Sequence, residues 1–159
     1  MRAALACLAA CGCIAAVAAQ SAHADGDPAS DYLLVQKVFL SYELASYPQQ
    51  EHALTKLVAQ VNKQGFIIRV AVIDSAYDLG SVTALWRKPQ TYARFLGAEL
   101  AFVYRQRLLV VMPNGFGFNW PKHSPKAGYA ALAKLHVKHG GAGLLASATA
   151  AVEALAKAG

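Results

Sequence analysis

Cysteine is confined to the start of the chain: Cys7, Cys11 and Cys13 are the only three. The remainder has no thiol, which excludes a disulfide framework, a thiolate nucleophile and a cysteine zinc site together. Charge is also scarce, at 15% of residues against 56% hydrophobic, a balance that excludes a disordered polyelectrolyte. The 159 residues make one domain. Chains of that size bury about two thirds of their unfolded surface, so the apolar core must supply the stability.

The formal charge is +6, yet its basic residues are scattered and the tightest groupings are Arg87 beside Lys88 and Arg105 beside Gln106 and Arg107. No run of five or six like charges exists, which argues against a nucleic-acid groove. An anionic surface remains a compatible partner. After Ala24 no segment reaches the roughly 20 apolar residues that span a bilayer, so the mature chain has no transmembrane segment. Several catalytic signatures are absent: the G-x-S-x-G elbow, the phosphate loop ending in Gly-Lys-Ser/Thr, and the H-E-x-x-H helix. Gly115-Phe116-Gly117 and Gly141-Ala142-Gly143 lack the strand, helix and third glycine of a dinucleotide loop. No repeat of solenoid length is present.

Residues 1–24 have the form of a signal peptide. Arg2 gives the positive start, an alanine-rich apolar stretch follows, and Ala22-His23-Ala24 is the small-x-small pattern ahead of Asp25. The expected location is periplasmic or secreted. A competing pattern, Leu8-Ala9-Ala10-Cys11, resembles a lipoprotein box and would anchor the chain through an acylated Cys11. The apolar region ahead of Cys11 is short and continues to Ala19, which favours simple export.

Residues 25–159 read as one α/β domain. Asp25 to Ser30 forms a polar leader, and Tyr32 to Leu40 reads as an edge strand interrupted by Gln36 and Lys37. From Pro48 to Gln64, Leu54, Leu57, Val58 and Val61 repeat at helical spacing, between a proline suited to the first turn and Gly65 suited to the stop. The run Phe66 to Ile73 is too continuously apolar for a half-wet edge, as is Arg107 to Met112. Between them, Ser81 to Lys88 reads as a linker and Pro89 opens a second helix, with Tyr92, Leu96, Leu100 and Val103 on one face. Strand, crossover helix and strand predict parallel pairing with a right-handed connection. Pro113-Asn114-Gly115 then signals a hairpin to Phe116-Gly117-Phe118. The C-terminal part reads as two helices divided by Gly140-Gly141-Ala142-Gly143. The expected architecture is a single-domain sandwich: a mostly parallel central sheet, a hairpin after the crossover strand, and C-terminal helices.

This order of elements resembles the TPM-domain family over Asp31 to Asn119. The likeness rests on Gly65-Phe66-Ile67-Ile68-Arg69-Val70-Ala71-Val72, on the pair Tyr92-Ala93 opening the crossover helix, and on the strand-turn-strand from Leu108 to Phe118. The resemblance implies a compact envelope or lumenal α/β domain, weak phosphatase activity, divalent-metal binding, or an accessory role in assembling membrane complexes. Where the family often has an acidic residue and Asn-Gly before its third strand, this chain reads Tyr104-Arg105-Gln106-Arg107. Where many members carry a C-terminal membrane helix and glycine-rich tail, it reads as a helix of mixed composition.

Asp74 and Asp78 flank the carboxyl end of the first buried strand, the usual ligand edge of open α/β sheets. With Ser75 they form the candidate ligand site, and Trp86, Arg87 and Arg105 are its candidate walls. The two carboxylates would offer oxygen to calcium or magnesium, with backbone carbonyls completing the shell. The plainer reading is that Asp74 caps a turn and Asp78 faces water. Asn114 and Gly115 offer amides to an anion, or simply make the hairpin turn. His136 and His139, three apart on an expected helix, lack a carboxylate or thiol partner for zinc and suit a helix end. The function expected is a non-catalytic binding or accessory module of the bacterial cell envelope, with an envelope protein or an anionic surface as partner. The alternative is a weak metal-assisted phosphatase, with Asp74 and Asp78 holding the cation and Arg105 or Arg107 the phosphate.

Overall fold

The computed structural model describes residues 26–159; the expected signal peptide and Cys11 lie outside the described residues. Four strands form one sheet in the order β1 (Val38–Leu40), β2 (Ile68–Val72), β3 (Arg107–Met112) and β4 (Gly115–Asn119). The first three are parallel, and β4 is antiparallel to β3. Three helices join or precede these strands: α1 (Pro28–Val35), α2 (Pro48–Lys63) and α3 (Pro89–Glu99). Two more, α4 (Lys126–Leu132) and α5 (Gly140–Ala158), complete the chain.

Alternation along the strands builds two cores. Ile68, Val70 and Val72 of β2 share one face with Leu109 and Val111 of β3, under α2, α4 and α5. Ala71, Ile73, Leu108, Val110 and Met112 face the other way, against α1 and α3. Burial on both faces explains why β2 and β3 are apolar at nearly every position, as strands covered on both sides are. The sandwich expected from the sequence is thus present.

The chain steps from β1 to β2 to β3 in one direction, while α2 and α3 cover opposite faces. Two parallel crossovers that step the same way over opposite faces are of opposite hand. The right-handed rule therefore holds for only one of them.

Several local expectations are corrected. The segment Tyr32 to Leu40 is not one strand: α1 ends at Val35, and only Val38 to Leu40 pair with β2. Pro28 occupies the first turn, Asp31 suits its positive end, and Ala29 and Leu33 are the buried pair one turn apart. The polar leader is likewise part of the fold, because Asp27 is only 4% exposed and accepts a hydrogen bond from the Tyr92 hydroxyl at 2.5 Å. Burial pushes the Asp27 carboxyl up to about 6. Ser81 to Leu85 lies in 3-10 turns that run from Ala76.

The hairpin loop is Pro113-Asn114, with Gly115 already paired to Met112. Val103 is exposed instead of joining the buried stripe of Tyr92, Leu96 and Leu100. The glycine run does not divide two helices but opens α5, and Gly141 sits where a Cβ would strike the Tyr47 ring. Gly65 does stop α2, with a φ of +93° that L side chains rarely adopt. Gly80 is held more tightly, at φ +52° with its missing Cβ at 2.2 Å from the Gly26 carbonyl oxygen.

Candidate functional site

The carboxyl ends of β1, β2 and β3 form one rim of the sheet. Ser41 follows β1, Asp74 and Ser75 follow β2, and the Pro113-Asn114 turn follows β3. Ser41 is the hub. Its backbone N–H donates to the Val72 carbonyl at 3.1 Å, and its hydroxyl oxygen accepts the Asp74 N–H at 2.6 Å. The hydroxyl proton goes to Asp78 Oδ2 at 2.5 Å, a much closer acceptor than the Val72 carbonyl at 3.2 Å.

The same carboxylate oxygen accepts the Ser75 N–H at 2.8 Å and lies 3.2 Å from the Ser75 hydroxyl. Ser75 and Asp78 form a capping box on the 3-10 turn from Ala76 to Leu85. The roles expected from the sequence are thus exchanged: Asp78 is the capping carboxylate, and the Asp74 side chain is the one left without a turn to cap. Burial raises the Asp74 carboxyl above its ordinary value, and the nearby Asp78 and Glu43 carboxylates add to the rise.

This rim can tie strand ends together, but it presents little chemistry. Ser41 is 2% exposed, its proton is committed to Asp78, and its oxygen is occupied by the Asp74 amide. It is not offered as a nucleophile. Among the described residues, no three His, Cys, Asp or Glu side chains gather to hold a metal ion. The two carboxylates of Asp74 and Asp78 fall short of the six to eight oxygens a calcium shell takes, and one Asp78 oxygen is already taken by Ser41 and Ser75.

The candidate walls separate. Arg87 is exposed at φ +59°, and its carbonyl accepts from Asn114 Nδ2 at 2.7 Å, which keeps it on the rim and gives Asn114 a structural role. Trp86 packs into the α1 and α3 core. Arg105 precedes β3 and so lies at the opposite end of the sheet, where its Nε donates to the Ala101 carbonyl at 2.6 Å. Arg107 is with it at that end, its guanidinium between the Phe66 ring at 4.2 Å and the Trp120 ring at 3.8 Å. Neither arginine joins the Asp74 edge. His136 is not in a helix, and His139 stands at the start of α5, the end where a cation is disfavoured.

An open concavity lies elsewhere, along the free outer edge of β1. A cavity of about 420 Å³ is bounded by Tyr32 and Val35 of α1, by β1, and by Glu51 and Thr55 of α2. A second, of about 490 Å³, continues it past Val35 and Lys37 to Lys63 and Arg69. Val35 is 80% exposed, Tyr32 50% and Tyr42 89%. Sequence reasoning missed this groove. Its only signal was large apolar side chains, Tyr32 and Val35 in a segment taken for a strand and Tyr42 just after it.

Comparison with family models, with curated proteins and with solved structures finds no match to this chain.

Proposed function

We propose that the protein is an exported, non-catalytic binding or accessory module of the bacterial cell envelope, similar in role to accessory TPM-domain proteins. One observation carries the reading. The groove beside β1 is the open, partly apolar concavity, whereas the polar rim at Asp74 is occupied by its own hydrogen bonds. Apolar side chains exposed around a cleft mark an interaction surface or a ligand-binding groove. Export is supported by the signal-like pattern ending at Ala24.

The phosphatase alternative has weaker support. Its phosphate-holding arginines, Arg105 and Arg107, lie at the end of the sheet away from Asp74 and Asp78.

The test is chemical cross-linking in intact envelope, comparing the natural chain with Val35→Asp and Asp74→Ala. A partner lost with Val35→Asp and kept with Asp74→Ala supports the module. Turnover of a chromogenic phosphomonoester that needs calcium or magnesium and disappears with Asp74→Ala would establish the enzyme instead. The processed N-terminus is expected at Asp25, read by mass spectrometry; an acylated Cys11 would replace free export with a lipid anchor.

A further inference from the structure

The direction of the backbone in β1 decides what its outer edge offers. The Lys37 carbonyl accepts from Val70 N–H at 2.9 Å, and the Ser41 N–H donates to Val72 at 3.1 Å, so residues 37, 39 and 41 turn their polar groups toward β2. In a parallel pair alternate residues face opposite ways. Val38 and Leu40 therefore direct both N–H and C=O outward into the groove. Among the described residues, no neighbouring strand pairs with that edge.

The groove is also polarised. Glu51 stands at the Tyr42 end, while Lys37, Lys63 and Arg69 stand at the other with no carboxylate among the side chains that line it there. Arg69 is stacked 4.1 Å over the Tyr104 ring, and its Nη1 is buried with no hydrogen-bond partner among the described residues. A buried guanidinium donor without an acceptor is costly, and a carboxylate is its usual complement.

We infer that the outer edge of β1 is a docking groove for an extended peptide segment, which adds to the sheet as a fifth strand and sets an acidic residue or terminal carboxylate against Lys37, Lys63 and Arg69. Main-chain bonds to Val38 and Leu40 would supply the affinity, and the apolar floor of Tyr32 and Val35 would select the side chains, the division of labour usual in strand addition. The three-residue length of β1 keeps the edge short, which limits indiscriminate pairing.

This inference rests on the binding-module reading and names its ligand. The experiment is selection of a random nine-residue peptide library on the purified protein, followed by titration of the enriched peptides. Enrichment of β-forming sequences with Asp or Glu at one end is expected, with binding weakened at least tenfold by Lys37→Glu or Lys63→Glu, both exposed positions. N-methylation of alternate peptide amides should abolish binding. Enrichment that tolerates N-methylation, or that carries no acidic residue, would overturn the inference. So would binding of the protein to anionic vesicles in competition with the peptides, or a dimer that the peptides fail to dissociate. If the cross-linked envelope partner still depends on Val35 while the acidic preference is absent, the module reading stands and only the peptide assignment falls.

Discussion

The same short strand takes part in two unlike regions. At its carboxyl end, β1 hands over to Ser41, whose hydroxyl and amide bind Asp74, Asp78 and Val72 until the rim has little left to offer a ligand. Along its outer edge, Val38 and Leu40 have no strand beside them among the described residues. The rim's polar side chains are bonded to one another, whereas the edge leaves main-chain groups unpaired beside scattered charges. Binding capacity depends on which polar groups are unsatisfied, not on which are present.

The largest effect that would sharpen this contrast comes from the rim. Asp78→Ala removes the acceptor shared by Ser41 and Ser75 and should cost about 3 kcal/mol, since bonds to a charged acceptor are worth more than neutral ones. Chemical denaturation should show a lower midpoint with an unchanged slope. An undiminished midpoint would mean that the rim is not structural.

Next is a pH effect at Asp27, on the segment that packs against Gly80. The Asp27 carboxyl is raised from 3.8 to about 6, so its charged form is the less stable one in the folded chain. Its contribution is fully present below the unfolded value and is lost as pH rises through about 6. Stability should fall by about 2 kcal/mol between pH 4 and pH 7 on this account, with Asp74 adding in the same direction. Asp27→Asn, read by thermal melts across that range, should flatten most of the dependence.

Smaller still is the effect of Arg107→Gln, which removes the cation from between Phe66 and Trp120. A loss of about 1 kcal/mol in denaturant is expected, with no change in groove binding. The smallest stability change should come from Val35→Asp, within about 0.5 kcal/mol because the side chain is already 80% exposed. That variant should nonetheless lose the groove's partner. A large loss of stability there would make the edge part of the core and erase the contrast.

The central elements were legible because their punctuation is unambiguous. Pro48 and Gly65 bound α2, Pro89 opens α3, and the apolar runs of β2 and β3 have no other home than a sheet covered on both faces. The α1 to β1 region was not, because YLLVQKVFL changes from helical to extended period within nine residues, too short a window for either period to show. The glycine run that opens α5 misled for a different reason. Gly141 serves close packing on Tyr47 and not a break. Of the candidate site, the placement of Asp74 and Asp78 at a strand end was legible, but their partner Ser41 is brought to them only by the pairing of β1 with β2. The groove was not legible because its hydrogen-bonding edge is main chain and its charged residues, Lys37, Glu51, Lys63 and Arg69, are brought together only by the fold.

Amide hydrogen exchange, resolved for single residues, tests the contrast most directly. The amides of Val38 and Leu40 should exchange quickly in the free protein and slow markedly when a selected acidic peptide is added, while those of Ser41, Asp74 and Ser75 stay slow in both conditions. Protected Val38 and Leu40 amides in the free protein, or rim amides that respond to the ligand in their place, would contradict it.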